Sequence, residues 1–147
     1  MLNLFSTIRT TRLVPPHMQR QRYGRIINVA SIYGRESGGN PTYNAAKASV
    51  ISYSKTLARQ LAPEGITVNS LCPGSIIFPG GGWERRQQAD PESIADFVRR
   101  DMPMGRFGKL EELTPVALFM ASPLASLLTG AALNVDGGQS RSADLRM

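Results

Sequence analysis

Tyr43 and Lys47 stand four residues apart in the run Tyr43-Asn44-Ala45-Ala46-Lys47, a spacing that puts both side chains on one face if the segment is helical. A lysine ammonium near a phenol favours the phenolate, and a phenol with a lowered pKa can pass a proton to or from a substrate oxygen near neutral pH. Ser31, upstream at the end of a strand-like run, offers a hydroxyl that could hold a carbonyl oxygen while Tyr43 protonates it. Such tyrosine–lysine pairs also arise by chance and serve as plain helix-surface contacts. The pair gains weight only from the elements around it.

Those elements alternate. Residues 1 to about 20 read as a helix with Leu4, Ile8, Leu13 and Met18 roughly on one side, broken near Pro15-Pro16. The β-branched run 25–31, opened by Gly24, reads as a strand buried on both faces. Glycine and asparagine between 34 and 44 make a loop, and Tyr43 to about Leu61 is the clearest helix, with Val50, Ser54, Leu57 and Leu61 in one stripe and Gly65 as its stop. A second strand over 66–72 closes at Pro73-Gly74, and strand, long helix and strand are the parts of a parallel crossover. Ser31 then falls at the carboxyl edge of the sheet, where parallel sheets bind ligands. The stretch Ser75 to Asp90, with Pro79, three glycines at 80–82 and Trp83, is expected to be a mobile loop over a cleft. Helices near Pro91–Arg100 and Glu111–Ala121 precede a third strand over Ala131–Val135, ended by Asp136-Gly137-Gly138. The fold class is α/β with a mostly parallel sheet. Three strands leave an outer edge unpaired unless something covers it.

A length of 147 residues suits one domain, and 41% hydrophobic with 19% charged residues excludes a disordered or collagen-like chain. The net charge is +6, with six arginines before the first acidic residue, Glu36. Nucleic-acid binding is set aside all the same, because Arg9, Arg12, Arg20 and Arg22 have no interleaved aromatics and suit a solvated helix face. One cysteine, Cys72, and one histidine, His17, exclude an internal disulfide framework, a thiolate cluster and a multi-histidine metal site. Cys72 reads as a buried structural thiol. The start shows no convincing signal peptide, and the uncharged stretch Leu113–Val135 is interrupted by Pro115, Pro123, Gly130 and Asn134, so a buried helix, a turn and a strand are expected rather than a membrane span. The expectation is a cytoplasmic protein.

The runs GRIINVAS at 24–31, YNAAKAS at 43–49, ITVNSLCPG at 66–74, and GRFGKLEELTPVALFMAS with LTGAALNVDGG up to 138 together resemble the carboxyl-terminal part of a short-chain dehydrogenase/reductase. The resemblance implies the carboxyl-terminal portion of a Rossmann-like doubly wound sheet, hydride transfer between NAD or NADP and a carbonyl or alcohol, and a homodimer or homotetramer when complete. An oxoacyl thioester is one substrate that it allows. It also implies roles: Tyr43 as acid/base, Lys47 as the residue that lowers its pKa and holds the nicotinamide ribose, Ser31 as the substrate-orienting hydroxyl, and Asn3 as the member completing a proton relay through water. Pro73, Gly74 and Ile76 resemble the turn that meets the nicotinamide, while Ile77, Phe78 and Trp83 suggest an apolar substrate pocket within a loop and helix over about 75–100. Two departures stand out. Phe78 replaces a common threonine and cannot make that hydroxyl's bond to the cofactor. No glycine-rich turn follows a first strand, so residues 1–147 read as a single but incomplete domain, or as an inactive piece of a split protein serving in assembly.

Overall fold

The computed structural model describes residues 2–142. Strand β1 (Gly24–Val29) runs parallel to β2 (Ile66–Pro73), with Gly24 opposite Ile66 and Val29 opposite Leu71. Strand β3 (Ala132–Val135) pairs with the other edge of β2, also parallel, from Ser70 opposite Ala132 to Pro73 opposite Val135. The central strand is buried from Ile66 to Cys72 on both faces, its polar Thr67, Asn69 and Ser70 included; Asn69 donates to Leu128 O at 2.8 Å and accepts from Ala131 N at 3.0 Å.

Helices α1 (Leu2–Leu13) and α2 (Pro15–Gln21) lead into β1, and α3 (Pro41–Leu61) crosses from β1 to β2. Side chains alternate along a strand, so Ile26, Asn28 and Ala30 share one face of β1. On that face Ile26, Ala58, Leu61, Ile66 and Val68 form one core cluster, and Ala30, Val50 and Cys72 another. Asn28 Nδ2 donates to Ser54 Oγ at 2.8 Å between them, which satisfies the polar pair in the interface. After β2 come α4 (Gly82–Ala89), α5 (Pro91–Asp101) and α6 (Leu110–Ala121). Helix α6 packs on β1 and β2. Helices flanking a parallel sheet make this the α/β, partly Rossmann-like arrangement expected from the sequence.

Four expectations need correction. Strand β1 is not buried on both faces: burial alternates along it and Val29 is 58% exposed, because β1 is an edge strand of the sheet. Ser31 lies beyond the strand, where its side chain caps a 3₁₀ turn (Ile32–Gly34). Leu13 does not share a side with Leu4 and Met18: it is 72% exposed while they pack in part against the core, since α1 ends at Leu13 and α2 starts afresh at Pro15. The second half of the supposed loop before Asp90 is α4, whose start is fastened by Gly80 N–H donating to Glu84 Oε2 at 2.7 Å. Among the described residues no helix is long and apolar enough to cross a membrane.

Candidate active site

The site is built where β1 ends and α3 begins. The chain leaves the ladder at Ala30, whose N–H still donates to Leu71 O at 2.7 Å. Ser31 then turns its side chain into the bend, and Ser31 Oγ accepts from Tyr33 N at 3.2 Å. Its own hydrogen therefore remains available to a substrate oxygen. Helix α3 starts where it does because Asn40 Oδ1 accepts from Thr42 N at 3.0 Å and Pro41 occupies the first helical position. That start sets Tyr43 and Lys47 in the first two turns.

The loop returns against the helix at Gly34. A Cβ there would stand 2.8 Å from the carbonyl carbon and oxygen of Lys47, a backbone contact that only glycine avoids. The Lys47 side chain is buried, and Nζ donates to Val29 O at 2.8 Å while lying 5.6 Å from the centre of the Tyr43 ring. Burial pulls the Lys47 pKa below the ordinary lysine value. Cys72 is buried and free, its thiol pushed up chiefly by burial, as suits a structural thiol.

An open cleft of about 1590 Å³ collects Ser31 and Tyr43 on one side with Gly74, Ser75 and Gln139 at its base. Trp83 of α4 and Phe97 of α5 also line it, stacked with ring centres 4.8 Å apart. Of the residues singled out in the sequence, Ser31, Tyr43, Gly74 and Trp83 line this cleft, with Lys47 behind Tyr43. Asn3 is exposed on α1 and does not line it. Pro73 ends β2, Ile76 lines a smaller cavity of about 200 Å³ beside it, and Ile77 packs with Ile94, Met102 and Phe107. Phe78 is 41% exposed and turned outside the cleft. Among the described residues no group of three or more histidine, cysteine or carboxylate side chains could hold a metal ion.

Three participants escaped the sequence reading. Gln139, buried, accepts from Ser75 N through Oε1 at 2.7 Å and donates from Nε2 to Ser75 Oγ at 3.0 Å, fixing the turn after β2. The approach is so close that a Cβ on Gly74 would lie 2.7 Å from Asp136 Cβ and 2.8 Å from Gln139 Oε1. Glu36 Oε2 accepts from Arg141 N at 2.7 Å, Ser142 N at 2.8 Å and Ser140 Oγ at 3.1 Å, strapping that segment to the loop between Ser31 and Tyr43. Tyr33 also lines the cleft, and burial first, then Asp101 and Glu36, raises its pKa.

A family model described as enoyl-(acyl carrier protein) reductase matches residues 1–140. The chain is 36% identical over 139 residues to the short-chain reductase protein NovJ of Streptomyces niveus, covering 94% of this chain and 53% of that protein. It is 39% identical over 138 residues to a 3-oxoacyl-[acyl-carrier-protein] reductase of Thermotoga maritima, covering 93% and 54%. Among solved structures, a 3-oxoacyl-[acyl-carrier protein] reductase from Brucella melitensis with bound NAD superposes with a TM-score of 0.83 at 34% identity, over 95% of this chain and 50% of that one. The chain thus spans about half the length of the curated relatives it matches.

Proposed function

The chain belongs to the short-chain dehydrogenase/reductase family, and from that premise and the cleft's geometry we propose that it carries the proton-transfer half of an NAD(P)-dependent carbonyl reductase or alcohol dehydrogenase. The observation that carries this reading is one cleft lined by Ser31 and Tyr43, with the buried Lys47 ammonium 5.6 Å from the Tyr43 ring. When bound, the dinucleotide supplies or accepts the hydride.

The chain's own residues do the rest. Ser31 Oγ–H donates to the substrate oxygen and orients it, and the Tyr43 hydroxyl gives that oxygen its proton or takes it in the reverse direction. Lys47 has three N–H groups and spends one on Val29 O, so two remain for ribose hydroxyls while its charge stays beside the ring. That donor set fits the nicotinamide end of a dinucleotide. Backbone around Pro73, Gly74 and Ile76 is the surface against which the ring would rest. Asn3 is assigned here only as a polar group that could relay protons through water. Trp83, which lines the cleft, is assigned to the substrate side; Ile77 packs with Ile94, Met102 and Phe107, and Phe78 lies outside the lining.

An oxoacyl thioester is the finer substrate reading, supported by the 3-oxoacyl-[acyl-carrier-protein] reductase among the relatives. A homodimer or homotetramer in the cytoplasm is the setting the family resemblance favours for the complete protein. Tyr43→Phe should cut turnover of a carbonyl substrate by at least about 100-fold with the circular dichroism spectrum unchanged; full turnover in that variant would overturn the assignment.

A second reading, an inactive chain serving in assembly, is favoured by the outer edge of β1, which no strand among the described residues pairs, and the 58% exposure of Val29. The two readings separate in one experiment. The thermal unfolding midpoint of the chain alone should rise with saturating NADH or NADPH if the site works, and be indifferent to both if it does not.

A further inference from the structure

We infer that the cleft is built for a substrate whose carbonyl is joined to an anionic group, a carboxylate or phosphate, and that Arg86 reads that anion. The inference rests on the proposed reduction at Tyr43, to which it adds the substrate class.

Tyr43 and Arg86 line the same cleft. Helix α4 presents three charged side chains near its start, and two of them are consumed by the turn that precedes it. Glu84 Oε2 accepts from Gly80 N, and Arg85 Nη1 donates to Gly80 O. Arg86 makes neither kind of bond. Its guanidinium lies 5.0 Å from the centre of the Trp83 ring, and among the described residues no carboxylate or carbonyl bonds it. The ring holds the guanidinium in place through its face and leaves the planar N–H edge free, which is the edge that binds carboxylate and phosphate in parallel hydrogen bonds.

Of the other cations on the cleft, Arg35 donates to Ala132 O at 2.9 Å and Asn134 Oδ1 at 3.2 Å, and Arg100 and Arg141 pair with Asp101. Glu36 is saturated by donors from 140–142, and Asp96 pairs with Arg99. Asp101 is shared between Arg100 and Arg141, so this corner also keeps an excess of positive charge. Trp83, Phe97 and Ile94 line the wall, and Trp83 stacks on Phe97. The wall suits an apolar stretch of substrate, and Arg86 stands where that stretch would end in charge.

Trp83 is the only tryptophan in the chain, so its fluorescence reports binding without any turnover. Acetoacetate and its methyl ester form one pair of probes; acetoacetyl-coenzyme A and the acetoacetyl thioester of N-acetylcysteamine form the other. The anionic member of at least one pair should bind about tenfold or more tighter at low salt, and Arg86→Gln should remove that preference while leaving the neutral member's affinity unchanged. A preference that Arg86→Gln removes identifies a carboxylate in the first pair and a phosphate in the second. Equal binding within both pairs, a preference that survives Arg86→Gln, or no fluorescence response to any probe would overturn the inference. Tyr43→Phe keeps the binding preference intact, so loss of turnover and loss of anion recognition fail independently.

Discussion

Replacing Gln139 by Leu removes the clamp on the turn after β2 while preserving most of the side-chain volume. In the native chain the amide carbonyl accepts from Ser75 N at 2.7 Å and the amide nitrogen donates to Ser75 Oγ at 3.0 Å, both in buried surroundings. Leucine leaves the Ser75 N–H without a partner, which costs about 1–3 kcal/mol. The lost side-chain bond adds about 0.5–1.5 kcal/mol. The total is about 1.5–4.5 kcal/mol, and for a chain of this size that lowers the thermal midpoint by roughly 10 °C. Differential scanning calorimetry at neutral pH reads the difference directly. Ser75→Ala, which retains the N–H···Oε1 bond, should lose about half as much. A Gln139→Leu midpoint within about 2 °C of the parent would refute the claim that this clamp holds the turn.

The strap made by Glu36 should fail in Glu36→Ala, with amide exchange at Arg141 and Ser142 rising roughly tenfold or more by NMR; unchanged protection at both would count against the strap. Gly34→Ala forces a Cβ against the Lys47 backbone and should cost about 1–3 kcal/mol in urea denaturation, and a neutral result would show that the contact yields. Burial holds the Lys47 pKa below 10.5, so between the lowered value and 10.5 the unfolded chain binds more protons. Stability of the parent relative to Lys47→Met should therefore rise with pH through that window. A flat difference from neutral pH to 10.5 would contradict it.

The parts of the site that lie close together in the chain were legible. The stripe Val50-Ser54-Leu61 gives α3 its buried face, and that face fixes where Tyr43 and Lys47 emerge, although the Asn40-Pro41 cap starts the helix two residues before the Tyr43 read from the sequence. Ser31 was readable as a strand-end residue, although its capping of the next turn depends on backbone geometry rather than residue type. Helix α4 was hidden behind the glycines at 80–82, whose low helix propensity is offset by a side-chain bond from Glu84 that only the folded backbone displays. Gln139 and Glu36 find partners 64 and about a hundred positions away, a pairing set by how the ends of β2 and β3 meet. Arg86 carries no sequence signal of its own; its place by the Trp83 ring, with Glu84 and Arg85 already bonded, distinguishes it. The exposure of Val29 follows from its edge strand, which local sequence pattern could not separate from a strand covered on both sides.

The central claim is that this cleft reduces a carbonyl with Tyr43 as the proton donor. The chain should be incubated with an oxo substrate and a reduced nicotinamide dinucleotide deuterated at both C4 positions, beside the Tyr43→Phe variant, and the alcohol analysed by mass spectrometry. The account predicts one deuterium on the carbinol carbon from the parent chain and a yield at least about 100-fold lower from the variant. Alcohol without the label, or equal labelled product from both proteins, would contradict it.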